Sequence, residues 1–124
     1  MIHEEICTYE VCKLAKEKGF NVQTFDWYDY TGNYHKGFIP HELHECPRYK
    51  EYYAPTQNLL QRWLREEKRI EVNAFWDNAD NIWLGYAQEM DAPDLVGSFP
   101  LNKPFPTYEL ALEDALKYAL ENLV

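Results

Sequence analysis

The stretch PTQNLLQRWLREEKRIEVNAFWDNADNIWLGYAQEM, residues 55–90, decides the fold because it holds one helix pattern followed by two strand patterns. Its apolar residues first recur at the spacing of one helix face: Leu59, Leu60, Trp63 and Leu64. From residue 70 they alternate with polar residues, and a short Asp- and Asn-rich connection leads into a second strand-like run. The stretch predicts a helix over about 55–69 and an antiparallel hairpin over about 70–90.

Two further helices are predicted from a repeated tripeptide, Thr-Tyr-Glu, which precedes an amphipathic run at residues 8–10 and again at 107–109. A threonine hydroxyl favours a helix start because it accepts a hydrogen bond from a backbone amide of the first turn. Gly19 supplies a left-handed stop for the first helix. The pattern predicts helices over about 8–18 and 107–123.

The remaining segments favour strands and loops. Residues 22–30 are rich in β-branched and aromatic side chains, which predicts a strand, and residues 31–33 predict a turn. Residues 91–106 contain four prolines, so only a brief edge strand is expected there, over 95–99. Gly85 predicts a bulge or a close backbone approach within the hairpin.

These elements predict a single α+β domain over residues 1–124, with a long aromatic-rich loop over about 31–53. A small, mainly antiparallel sheet contains the hairpin and one or two further strands. We expect the second and last helices to cover one face of this sheet and the first helix to pack at its edge.

The composition limits the classes of partner that the protein is expected to bind. The 124 residues include 12 Lys and Arg against 21 Asp and Glu, a formal charge of −9. This charge repels nucleic acid, and the most basic helix face, with Arg62, Arg65, Lys68 and Arg69, is interrupted by glutamates. The sequence has neither a membrane-spanning run nor a secretory leader pattern, so we expect a soluble cytoplasmic protein with no membrane partner.

Aromatic residues are dense between positions 27 and 53, which is typical of interface anchors. The candidate binding residues are Trp27, Tyr28, Tyr34, Tyr49, Tyr52 and Tyr53. The alternative is that these rings pin the loop onto the domain, because aromatic side chains also dominate core energetics.

The candidate metal ligands are His41, His44 and Cys46, whose imidazole and thiolate groups suit zinc. A second ligand pair, which structural zinc sites normally have, is missing, and a solvated polar loop is the competing interpretation. We expect no cofactor. Cys7 and Cys12 have the spacing of neither a redox nor a metal motif, and Cys12 fits a small buried apolar residue.

The segment YAPTQNLLQRWLRE at residues 53–66, with TYELALEDALKYAL at 107–120, resembles a group of small uncharacterised proteins of gut Bacteroidetes and their phages or integrated elements. The resemblance extends to AKEKGF at residues 15–20 and covers most of the chain. It implies provenance from a phage or mobile element and carries no activity.

A second, partial resemblance covers residues 70–123, where a hairpin, a short strand and a helix beginning Thr-Tyr-Glu are similar to the HicB-type antitoxin domain. Residues 91–94, Asp-Ala-Pro-Asp, only approximate the turn usual in that domain. The leading expectation is a non-catalytic protein-binding module that contacts another protein or a second copy of itself. The alternatives are an antitoxin-like regulator, or a zinc protein or hydrolase using the histidine and cysteine cluster.

Overall fold

Three helices and two small antiparallel sheets make up the part of the chain that the structure, a computed structural model, describes: residues 4–37, 51–91 and 99–124. The elements in chain order are α1 (Tyr9–Glu17), β1 (Trp27–Tyr28), β2 (Tyr34–His35), β3 (Tyr52–Tyr53), α2 (Gln57–Glu67), β4 (Ile70–Asp77), β5 (Ile82–Glu89), β6 (Phe99–Phe105) and α3 (Tyr108–Asn122). The α+β class and the three helices predicted from the sequence are confirmed.

The main sheet has the strand order β4-β5-β6. β4 and β5 form the predicted hairpin, in register from Ile70 opposite Glu89 to Asp77 opposite Ile82. The turn between them ends at Asn81, which has a φ of 54°, a left-handed conformation that asparagine tolerates better than most residues. Local sequence pattern was sufficient here because the two strands are joined by a short polar turn.

The edge strand β6 corrects one prediction. It runs from Phe99 to Phe105 and includes Pro100 and Pro104, so it is longer than the brief strand expected over 95–99, of which residues 95–98 lie outside the described residues. Proline is tolerated because β6 pairs only with β5 among the described strands, so a missing amide hydrogen can face away from the ladder. The β5–β6 register shifts between Trp83 and Gly85, which confirms the irregularity predicted at the glycine.

All three helices begin at a threonine cap. The hydroxyls of Thr8, Thr56 and Thr107 accept hydrogen bonds from the amides three residues later, at 3.4, 3.1 and 3.2 Å. The second helix therefore begins after Thr56, slightly later than the predicted start at Pro55. None of the helices in the described ranges is both long and apolar enough to cross a membrane.

The core lies between the main sheet and the helices. α2 and α3 pack against one face of the sheet, as expected, and α3 also contacts α1 and α2. The buried face of α3 alternates small and large residues, all fully buried: Ala111, Leu112, Ala115, Leu116, Ala119 and Leu120. The alanines allow close approach while the leucines fill the space between layers.

The position of α1 differs from the prediction. α1 packs on α3 and on β3, which belongs to a second sheet with the strand order β2-β1-β3. The sequence did not predict this sheet, because β1 pairs with β3 across a long segment and each strand has only two residues. Packing rather than local propensity decides such short strands.

A single carboxylate joins the starts of α1 and α2 to the side of α3. Oε2 of Glu113 accepts hydrogen bonds from the backbone amide and the hydroxyl of Thr8, both at 2.9 Å. Its Oε1 accepts from Nε2 of Gln57 at 2.9 Å, and the same Nε2 donates to the Glu109 carbonyl at 2.8 Å. Gln57 is only 4% exposed, so its amide depends on these acceptors.

We predict that Glu113→Ala lowers the free energy of unfolding by about 2–3 kcal/mol, because it removes charge-assisted bonds to Thr8 and leaves the buried Gln57 amide short of an acceptor. Urea denaturation measures the change. The control Glu121→Ala lies on the same helix, where its carboxylate is 3.9 Å from Lys117 in an exposed pair, and should change stability by less than about 0.5 kcal/mol. Equal effects of the two substitutions would contradict the role assigned to Glu113.

Candidate recognition surface

Four tyrosines form a connected cluster between the second sheet and α1. Tyr9 contacts Tyr28 and Tyr52 edge-on, with ring centroids 5.8 and 5.5 Å apart, and Tyr28 contacts Tyr34 at 5.5 Å. The Tyr28 hydroxyl also donates to the Cys7 carbonyl at 2.8 Å. Such edge-to-face contacts each add about 0.5–1.5 kcal/mol beyond burial, so the cluster fixes the second sheet on α1.

The structure separates the predicted binding residues into two groups. Tyr52 and Tyr53 are each only 8% exposed and belong to the core, so the expectation that they stand outside it on a loop is wrong. Tyr28 is half-buried within the tyrosine cluster. For these three rings the alternative, that the aromatic residues pin the segment onto the domain, is what the structure contains.

The remaining residues predicted to bind a partner or a metal are either partly exposed or outside the described residues. Tyr34 is 38% exposed, and Trp27 is half-buried on the opposite face of the second sheet from Tyr28. Tyr49 lies outside the described residues. The candidate metal ligands His41, His44 and Cys46 also lie outside them, and no group of three His, Cys, Asp or Glu within residues 4–37, 51–91 and 99–124 is placed to hold a metal ion.

Asp29 organises the turn between β1 and β2. Its Oδ1 accepts hydrogen bonds from the amide and hydroxyl of Thr31, at 2.9 and 2.5 Å, and from the Asn33 amide at 3.0 Å. Its Oδ2 lies 2.8 Å from Nε2 of His35. Gly32 completes the turn with a φ of +90°, a conformation that most other residues adopt only with strain.

These contacts change the acidity of Asp29. The hydrogen bonds from Thr31, followed by the contact with His35, hold the pKa of the Asp29 carboxyl well below its usual range. Each bond stabilises the ionised form, so the carboxylate stays charged through the physiological range. The turn is a fixed platform as long as Asp29 is ionised.

The hairpin carries exposed and half-buried rings on both faces of the second sheet, which we call the hairpin surface: Trp27, Tyr30, Tyr34 and His35. Tyr30 is 68% exposed at the start of the turn, and Trp27 stacks on His35 with centroids 4.3 Å apart and planes at 17°. The Tyr34 hydroxyl donates to the Asp26 carboxylate, and partial burial together with this bond raises the pKa of Tyr34 to about 12.

Sequence reasoning did not select Tyr30 or His35. Tyr30 could have been found from its place directly before Thr31-Gly32-Asn33, because a residue at the start of a tight turn points away from the sheet. His35 carried no such signal. Its role depends on pairing opposite Trp27, which only the strand register fixes.

The two described cysteines are unsuited to nucleophilic chemistry. Cys7 and Cys12 are free and buried, at 0% and 1% exposure. Burial, with a further contribution from the charge of Glu113, raises the pKa of both thiols well above its ordinary value. A buried thiol kept protonated does not supply the thiolate that attack requires.

A shallow cleft of about 230 Å³ lies where the N-terminal segment meets α3, lined by Glu5, Ile6, Thr8, Gln57, Thr107, Glu109, Leu110 and Glu113. Its polar side chains Thr8, Gln57 and Glu113 bond to one another. The cleft is therefore part of the joint between the helices.

We predict that Asp29 makes stability depend on acid pH. Its folded pKa lies below the unfolded value of about 3.9, so its contribution is present above that value and is lost as pH falls through the folded pKa. Wild type and Asp29→Ala should differ in urea midpoint near neutral pH and converge in strong acid. The control Asp80→Ala, exposed in the β4–β5 turn, should change the urea midpoint near neutral pH only slightly, and a pH-independent gap for Asp29→Ala would refute the assignment.

We also predict that the buried thiols are protected from reagents. In a Cys46→Ser background, Ellman's reagent should label neither Cys7 nor Cys12 in the native protein at mildly alkaline pH, and both after addition of denaturant. Fast labelling of either thiol under native conditions would show that the N-terminal part of the core opens readily.

Comparison with known proteins gives no relative. No protein-family model matches the chain, and no curated protein or solved structure matches it. The resemblance to small Bacteroidetes proteins and to the HicB-type domain stays a prediction, and the functional argument depends on the fold and its surfaces.

Proposed function

We propose that the protein is a non-catalytic protein-binding module that contacts its partner through the hairpin surface. The observation that carries this proposal is Tyr30, whose ring is 68% exposed although the turn beneath it is fixed by the four contacts of Asp29. An exposed aromatic ring on a rigid turn is costly to leave in water and effective in binding.

Preorganisation supports the proposal. Tyrosine offers a large contact area at low conformational cost, and a rigid platform reduces the entropy lost when a partner docks. The Tyr9 hydroxyl donates to the Tyr30 carbonyl at 3.3 Å, so the backbone beneath the exposed ring is tied to α1 as well as to Asp29. The stacked Trp27 and His35 add further aromatic area on the same hairpin.

Two features support a non-catalytic role. Burial keeps the Cys7 and Cys12 thiols protonated, as their raised pKa values indicate. The Asp29 carboxylate uses both oxygens in contacts within its own turn, and its lowered pKa makes it a poor proton acceptor.

The charge distribution supports a protein partner over nucleic acid. Arg62 pairs with Glu66 and Arg69 with Asp91, each at 3.1 Å, so two of the four basic residues near the end of α2 are neutralised. The formal charge of −9 acts in the same direction. A bacterial cytoplasm and a phage or mobile-element origin, implied by the resemblance, fit a small adaptor that binds another protein or a second copy.

The proposal is tested with Tyr30→Ser. Sedimentation velocity first determines whether the purified protein self-associates, and affinity capture from a bacterial lysate then supplies a partner if it does not. Binding of that partner, or of the second copy, is measured by calorimetry. We expect Tyr30→Ser to weaken it about tenfold, as loss of an interface aromatic does, with an unchanged melting temperature.

The matched control is Leu110→Ser, which removes an apolar side chain of 48% exposure from α3. It should leave the affinity unchanged. Equal affinities for wild type, Tyr30→Ser and the control would exclude the hairpin surface as the contact.

A further inference from the structure

The central strand β5 is apolar on both faces. Trp83, Gly85 and Ala87 point to the face that α2 and α3 cover, while Ile82, Leu84 and Tyr86 point to the other. A strand in an antiparallel sheet with one solvated face normally alternates apolar and polar residues. β5 has instead the pattern of a strand that is covered on both sides.

The second face has an apolar centre that the core does not explain. Phe75 lies directly opposite Leu84 in the register and is 40% exposed. Ile82, Leu84 and Tyr86 are half-buried, yet they are not among the side chains packed against the hydrophobic core of the described residues. We call these four residues, Phe75, Ile82, Leu84 and Tyr86, the outer sheet face.

Three acidic residues lie on or beside this face; of the basic residues near it, Arg69 precedes β4 and pairs with Asp91, and Lys103 lies on β6. Glu71 and Asp77 lie on the face near the two ends of β4, and Asp80 follows in the turn. The outward positions of β4 and β5 include no lysine or arginine. The ion pairs between described residues do not involve any of these three acids. Their charge is therefore left to attract a positively charged group.

The free edge of β4 is partly closed to strand addition. Nε2 of Gln61 donates to the Val72 carbonyl at 2.5 Å, and Oδ1 of Asn73 accepts from the Ala74 amide at 2.9 Å. Two edge groups that an added strand would need are thus already paired. Docking onto the face is favoured over extension of the sheet.

We propose that the outer sheet face binds an apolar segment of a partner protein that carries lysine or arginine. The apolar centre supplies contact area, and the acidic rim selects the charge of the partner. A second copy of this chain would bring Glu71 and Asp77 against the same acids, so like charges oppose self-docking on this face. This surface is separate from the hairpin surface, and neither proposal depends on the other.

The test uses a fluorescent peptide of alternating lysine and leucine, eight residues long to match β4, and a counterpart with glutamate in place of lysine. Fluorescence anisotropy should show binding of the lysine peptide that weakens with salt and no binding of the glutamate peptide. Phe75→Ser and Leu84→Ser should weaken it about tenfold. Glu71→Lys, at an exposed position, should weaken it without a change in melting temperature.

The matched controls are Leu110→Ser and Tyr30→Ser, which remove exposed side chains elsewhere. Both should bind the lysine peptide like wild type. If all variants lose affinity equally, or none does, the peptide binds by net charge alone and the proposal is overturned.

Two further results would overturn the proposal by identifying a different occupant of the outer sheet face. A dimer in sedimentation equilibrium that Phe75→Ser dissociates would place a second copy on the face. A melting temperature of Phe75→Ser reduced as much as that of the core variant Leu116→Ala would show that the chain itself covers Phe75. A stable, monomeric Phe75→Ser protein with weakened peptide binding supports the proposal.

Discussion

Burial of one face of α3 is the constraint on which the rest of the structure depends. This helix packs on the main sheet, on α1 and on α2. Its alternating alanines and leucines therefore form the packing surface that all of these elements share. Truncating one buried leucine costs about 2–5 kcal/mol, a large part of the stability of a domain this size. Glu113, on the same helix, accepts hydrogen bonds from Thr8 and from the buried Gln57 amide where the three helices meet.

Two carboxylates organise two parts of the structure by the same principle. Glu113 joins elements that are distant in sequence, whereas Asp29 closes a local turn through Thr31, Asn33 and His35. Each is fully used in hydrogen bonds within the chain. Acidic residues with this role stabilise the structure through charge-assisted hydrogen bonds.

Strand register decides which face of the second sheet each aromatic residue occupies. In the second sheet, Tyr28 and Tyr52 are paired and face α1, while their neighbours Trp27 and Tyr53 face the other way. A shift of one residue would exchange the two sets. Burial and exposure of these rings therefore could not be assigned from their number or density.

The sequence by itself determined the elements whose signals are local. The three helices follow from their threonine caps and their apolar spacing, and the β4–β5 hairpin follows from alternation around a polar turn. The turn after residue 30 was also readable, because Gly32 and Asn33 mark it. Such features depend on neighbours within a few residues, so composition and spacing specify them.

Only the tertiary structure decided the second sheet, the burial of Tyr52 and Tyr53, and the pairing of Trp27 with His35. It also decided that α1 packs on α3 and that Glu113 reaches Thr8 across most of the chain. Apart from the Trp27–His35 pair, which depends on strand register, these contacts join residues far apart in sequence, and each forms because packing brings the partners together. No local pattern encodes them, since their energy exists only once the core has assembled.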